Sequence, residues 1–239
     1  MAWNWAALGG ACALAASHLF VGRLRAKRAW ERSGALSLAS GISVAYVFIH
    51  LLPSLAEEQR LWELARGGAR LEWLDQQVYI GALIGLIAAD GINRLALNGG
   101  HPIGRYWAQE TALVIYNLLV GYYAVRLGNP AAVVMATVAF GAHFAIHDHD
   151  LDKEYPTLHP RHGRRILAAA VVLGWLLGST VHLRPALLIM AFSLVAGGIL
   201  LRSLRDELDS TREARFGAFV IGTLAYSGLL IAMFYAIRR

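Results

Sequence analysis

His143, His147, Asp148 and His149 stand together in the run AFGAHFAIHDHDLDKEY, residues 139–155. Two histidines four apart lie one turn apart on the same face of a helix, the spacing that lets two imidazoles share a metal ion. A neutral imidazole is tolerated inside a helix bundle and suits zinc and its neighbours, so the pattern has a chemical mechanism. A second reading stays open beside it. His143 would hydrogen-bond to a neighbouring helix and His147 would sit with its acidic neighbours at a water interface, the polar end of an ordinary membrane helix.

Elsewhere, Asp90 falls deep in an apolar run, where a carboxylate costs about 2.5–3.5 kcal/mol, and Arg94 one turn onward is its partner. His50, just before Pro53, reads as a hydrogen-bonded interfacial residue; His18 and His182 read as interfacial too. HPRH, residues 159–162, reads as a solvated basic loop, with weak metal collection as the alternative, and His101 falls in another loop. No nucleotide loop, GxSxG elbow or HExxH is present, which counts against most enzyme classes. Cys12 is the only cysteine, so an intramolecular disulfide is excluded.

The elements that must position these residues are membrane helices. Of 239 residues, 57% are apolar and 16% charged, well below the roughly one quarter charged in a soluble domain. The mean hydropathy is positive. A spanning helix needs about 20 mainly apolar residues, and eight stretches qualify: about 2–22, 34–55, 78–98, 110–127, 130–147, 164–183, 185–204 and 214–237. The expectation is an all-α polytopic membrane protein, a single transmembrane domain over 1–239, multi-pass in a plasma or inner membrane. The first span lacks a basic leader and a small-residue cleavage site, so it reads as a retained helix. Segment 56–77, with Trp62 and Trp73, reads as a short helix lying on the membrane surface. GALIG at 81–85 and GWLLG at 174–178 have the small-residue spacing of close helix contacts.

Lys and Arg accumulate in cytoplasmic loops. Arg23, Arg25, Lys27, Arg28 and Arg32 crowd the first loop, and the later alternation puts both termini outside. The net charge of +6 is then largely a topology signal, and no nucleic-acid partner is needed to explain it. RLGNP at 126–130 and HLRP at 182–185 are short enough to force antiparallel hairpins. Counted back from the first turn at 1.5 Å per residue, Asn117 and His143 lie at about the same depth, roughly 18–21 Å from the outer end. They are expected to face each other.

The chain resembles the ZIP (Zrt/Irt-like) divalent-metal permeases. Where that family carries HNFPEG on its fourth helix, residues 116–121 read YNLLVG; where its fifth helix carries HEIPHE, residues 143–148 read HFAIHD. HLLP at 50–53 and AGG at 196–198 match weaker family signatures. The resemblance implies eight helices in a three, two, three order, helices 1–3 and 6–8 forming an inverted repeat. It also implies a metal site built from the fourth and fifth helices, here His143, His147, Asp148 and Asn117. Tyr116, Leu119, Val120 and Phe144 replace the family's histidine, proline, glutamate and acid, so a carboxylate-bridged two-metal site is not available, and the family's long histidine-rich loop is absent.

The function implied is a divalent cation permease with a reduced site for zinc, iron, manganese or cadmium. A non-transporting relative with a structural or sensing metal site is the alternative, and a metal-dependent membrane hydrolase using HDHD, residues 147–150, is a third. Lipid and the metal ion are the expected partners, with a homodimer as the candidate assembly.

Overall fold

The computed structural model describes residues 5–25, 34–65, 76–98, 102–208 and 215–237, and every long element among them is a helix. They are α1 (Trp5–Arg25), α2 (Ala35–Tyr46, a π-helical turn Val47–Leu51, then Leu52–Ala65), α3 (Gln77–Asn98) and α4 (Pro102–Arg126). After a tight turn follow α5 (Pro130–Glu154), a π-helical turn His159–Gly163 leading into α6 (Arg164–Thr180), α7 (Pro185–Leu208) and α8 (Phe216–Ile237). Among the described residues, four segments are long and apolar enough to cross a membrane by length and composition: Ala35–Leu61, Pro130–Glu154, Pro185–Arg205 and Phe216–Ala236. The chain thus has the character of a helical membrane protein. His101, Trp73 and the Arg239 tail lie outside the described residues.

Local chemistry explains the helix ends. Asn129 caps α5 by accepting from the Ala131 amide at 2.8 Å, and Pro130 supplies the first helical φ. On the neighbouring turn, the Tyr122 hydroxyl donates to the Val181 carbonyl and accepts from the Leu183 amide, both at 3.0 Å, pinning the end of α4 to the α6–α7 connection.

Three helices run past the ends expected of them. Residues 56–65 prolong α2 instead of forming a separate surface helix, because the wide turn at Val47–Leu51 accommodates Pro53, which has no amide to donate. α4 begins at Pro102, eight positions before 110, with proline where a first-turn amide would be unpaired anyway. α5 continues through HDHDLDKE to Glu154; Asp148, His149 and Asp152 are buried there, so partners on other helices replace the water that a polar helix end would seek.

Glycines set the closest contacts. A Cβ on Gly121 of α4 would enter the backbone of α6 at Val171, and one on Gly174 of α6 would enter α4 at Leu118. The same reciprocity joins α3 to α7 through Gly85 and Gly197, and α2 to α8 through Gly41 and Gly222. Gly85 and Gly174 belong to the two small-residue motifs, whose reading as contact sites is correct.

These pairs assemble into two groups, α1 with α4, α5 and α6, and α2 with α3, α7 and α8, joined mainly where α2 packs on α5. Exchanging helices 1–3 with 6–8, and α4 with α5, carries the α2–α8 pairing onto α7–α3 and the α1–α5 pairing onto α6–α4. The largest departure from this correspondence is that α2 lies against α5, whereas α7 scarcely touches α4.

Candidate functional site

Where α7 stands off from α4, a cleft of about 490 Å³ opens between the two groups. Its walls are largely apolar, from Gly85 and Ala88 on α3, Leu119 on α4, and Leu194 and Gly198 on α7. His143 and His147 bring nitrogen to it from α5, and Arg202 lines it from α7 with its guanidinium held by Asp150. The two imidazoles meet edge to face, centroids 4.6 Å apart at 79°. Their four-residue spacing on an unbroken helix puts both on the cleft face, as expected. Tyr116 packs its ring edge on His143 at 5.7 Å and on Phe144 at 5.6 Å. The depth argument therefore gave the level correctly but the face one residue off: Tyr116, not Asn117, stands opposite His143.

Asn117 and Asp148 belong to a different constellation, behind α5 and away from the cleft. The Asn117 amide donates to the Leu113 carbonyl at 2.8 Å, which leaves its oxygen to accept from His18 Nε2 at 2.8 Å. His18 Nδ1 donates to Asp148 Oδ2 at 2.9 Å. Both ring nitrogens of His18 are thus engaged, one by each helix. Asp148 Oδ1 accepts from His159 Nε2 at 3.2 Å, and His159 Nδ1 faces Glu110 Oε2 at 3.4 Å. The chain Asn117–His18–Asp148–His159–Glu110 is buried throughout and joins α1, α4, α5 and the α5–α6 connection.

Burial works against a charge on His159, but the hydrogen bond to Asp148 and the nearby carboxylates of Asp148 and Glu110 outweigh it and push its pKa up to about 9. Asp152 pairs with Arg164, fastening the end of α5 to the start of α6. Phe144 stacks on His18, ring centroids 4.5 Å apart, so this apolar residue of α5 serves the packing of the network.

Of the four candidate ligands, the structure thus brings His143 and His147 together in the cleft, and joins Asn117 to Asp148 through His18. Among the described residues no group of three or more His, Cys, Asp or Glu side chains is arranged to hold a metal ion. Two expectations about histidines are corrected. His18 is buried between two helices, and His159 of the supposedly solvated loop is fully buried, because each has an acid brought to it by the fold. His50 is also buried, between Tyr46 and Phe234 at 5.2 and 5.5 Å, and its nitrogens meet no partner among the described residues. The Asp90–Arg94 pair forms as expected, at 2.6 Å.

Glu110 and Tyr106 went unnoticed as site residues. The available signal was an acid four positions after a tyrosine at the head of an apolar helix. Compared with known proteins, the chain matches no family model and no curated sequence.

Proposed function

We propose that this chain is a ZIP-like multi-pass membrane protein with eight spanning helices, helices 1–3 and 6–8 forming an inverted repeat, both termini outside. It admits a divalent metal cation from the zinc, iron, manganese and cadmium class to His143 and His147 as a permease with a reduced site. The observation that carries this reading is the pair of imidazoles on the wall of a cleft between two helix groups. The exchange of helix pairings between the two halves supports the inverted repeat. Two neutral ligands with water completing the shell give modest affinity, which suits an ion that must leave again.

A second reading, a non-transporting protein with a structural or sensing site, is favoured by one observation: Asn117 and Asp148 are committed to the His18 network and are not offered to the cleft. Uptake of zinc or cadmium into proteoliposomes, with binding by calorimetry, separates the two. The permease reading expects uptake by the parent and a loss of roughly tenfold or more in the His143→Ala/His147→Ala variant. Binding without uptake establishes the second reading, and binding that ignores the double substitution sinks both.

A further inference from the structure

At the far end of the buried chain, beside Gly163, several polar atoms point into one small space. Tyr106, Glu110 and His159 are all 1% exposed or less. The Tyr106 hydroxyl, both Glu110 oxygens and His159 Nδ1 close no hydrogen bond among the described residues. A Cβ on Gly163 would stand 2.5 Å from Tyr106 Oη, 3.0 Å from Glu110 Oε1 and closer still to His159 Nδ1. Three donor atoms of different residues therefore converge on the Cα of Gly163, packed so closely that residue 163 has no room for a side chain.

Two occupants fit poorly. A proton shared between His159 and Glu110 must bridge 3.4 Å, a long and weak contact. A lone water would satisfy some of these atoms, but it would not account for how the imidazole is held. His159 Nε2 donates to Asp148, which His18 braces from the other side, and His18 is braced in turn by Asn117. A carboxylate on one nitrogen of a histidine, fixing the ring so that the other nitrogen projects toward further oxygen donors, is the outer-shell arrangement of metal-binding histidines. Tyr106, Leu151 and Tyr155 form a separate small apolar cluster around this point, so a bound ion would be screened from water.

We infer that Glu110 and His159, with the Tyr106 hydroxyl, form a second cation site beside Gly163, separate from the cleft and suited to a divalent first-row transition ion. Imidazole nitrogen with carboxylate oxygen is a donor set of zinc-like ions, and water completes the shell. Asp148 and His18 are positioning residues in it. The site sits where the start of α4 meets the connection into α6, so an ion there ties α4, α5 and α6 together without contact with the cleft.

The test uses purified full-length protein in detergent with Co²⁺ as the probe, reading ligand-field absorption and ions retained per chain after gel filtration. The site is examined in the His143→Ala/His147→Ala variant, which removes the cleft pair. That variant is expected to keep one tightly held Co²⁺. Adding Gly163→Ala, whose methyl drives into the three donor atoms, or Glu110→Gln, which keeps the shape, is expected to weaken binding at least roughly tenfold. Should Gly163→Ala fail to fold, Glu110→Gln alone decides. The inference is overturned if the double variant holds no Co²⁺, or if Glu110→Gln holds it as firmly and with the same spectrum. Loss of binding on replacing only the cleft histidines supports the proposed function while sinking this site, so the two readings fail separately.

Discussion

Asp148 accepts from two imidazoles at once and is fully buried, which makes it the residue with most to lose. Replacing it with asparagine removes the negative charge between His18 and His159 and leaves the buried His159 only Glu110 as an acid neighbour. A loss of about 3–5 kcal/mol is expected, against about 0–1 kcal/mol for Asp90→Asn in the exposed Asp90–Arg94 pair. Thermal unfolding of both variants in one detergent makes the comparison.

The same network sets a pH dependence. His159 faces Asp148 on α5 and Glu110 with Tyr106 on α4, and its pKa stands at about 9 in the folded chain against about 6.5 in an unfolded one. A raised pKa stabilises in full below about 6.5 and the benefit is lost as pH climbs through about 9. The thermal midpoint of the metal-free protein should fall between pH 7 and 10. His159→Gln should show a flatter profile; an equally steep one would assign the effect to another group.

The cleft pair was legible at this scale because a spacing of four is a local property of a helix. His18 and Asp148 were not, being 130 positions apart and joined only by how α1 lies on α5.

Helix boundaries were readable where their causes are local. Asn129–Pro130 announces the start of α5, and Pro185 that of α7. The end of α5 was hidden, since HDHDLDKE has the composition of an interface and stays helical only because His18, His159, Arg164 and Arg202 arrive from elsewhere. Two glycines separate contact from propensity. Gly121→Ala pushes a methyl into the α6 backbone and is expected to cost about 1–3 kcal/mol. Gly91→Ala on α3, with nothing within 4 Å, is expected to be neutral or to stabilise by up to about 1 kcal/mol. Unfolding midpoints that move the same way in both variants would contradict the helix pairing.

At the scale of the molecule, composition sufficed for an all-helical membrane protein, and the period of apolar runs for the number of long helices. How they divide into two groups could not be read from the sequence, because it depends on which glycine faces which backbone. The proposed topology sets the α4–α5 turn and the α5–α6 connection on opposite sides of the membrane. In a Cys12→Ala background, a membrane-impermeant thiol reagent applied to right-side-out vesicles should label Gly128→Cys and spare His162→Cys. Inverted vesicles should reverse the result, and labelling of both from one side would rule the arrangement out.

The widened turn in α2 has a consequence for comparing this chain with others. The Leu52 amide reaches back five residues to the Val47 carbonyl, so the segment holds one residue more than an α-helical turn would. In an uninterrupted helix an added residue turns everything after it by roughly 100°. Here the extra residue is absorbed on the spot, and Leu55 and Gln59 remain buried beyond it. A homologous chain one residue shorter between Tyr46 and Leu52 could therefore keep the same inward face over the rest of α2. It would lose only the bulge itself. An alignment gap placed at 47–51 is compatible with one shared architecture, whereas the same gap at 39–45 would re-aim the helix.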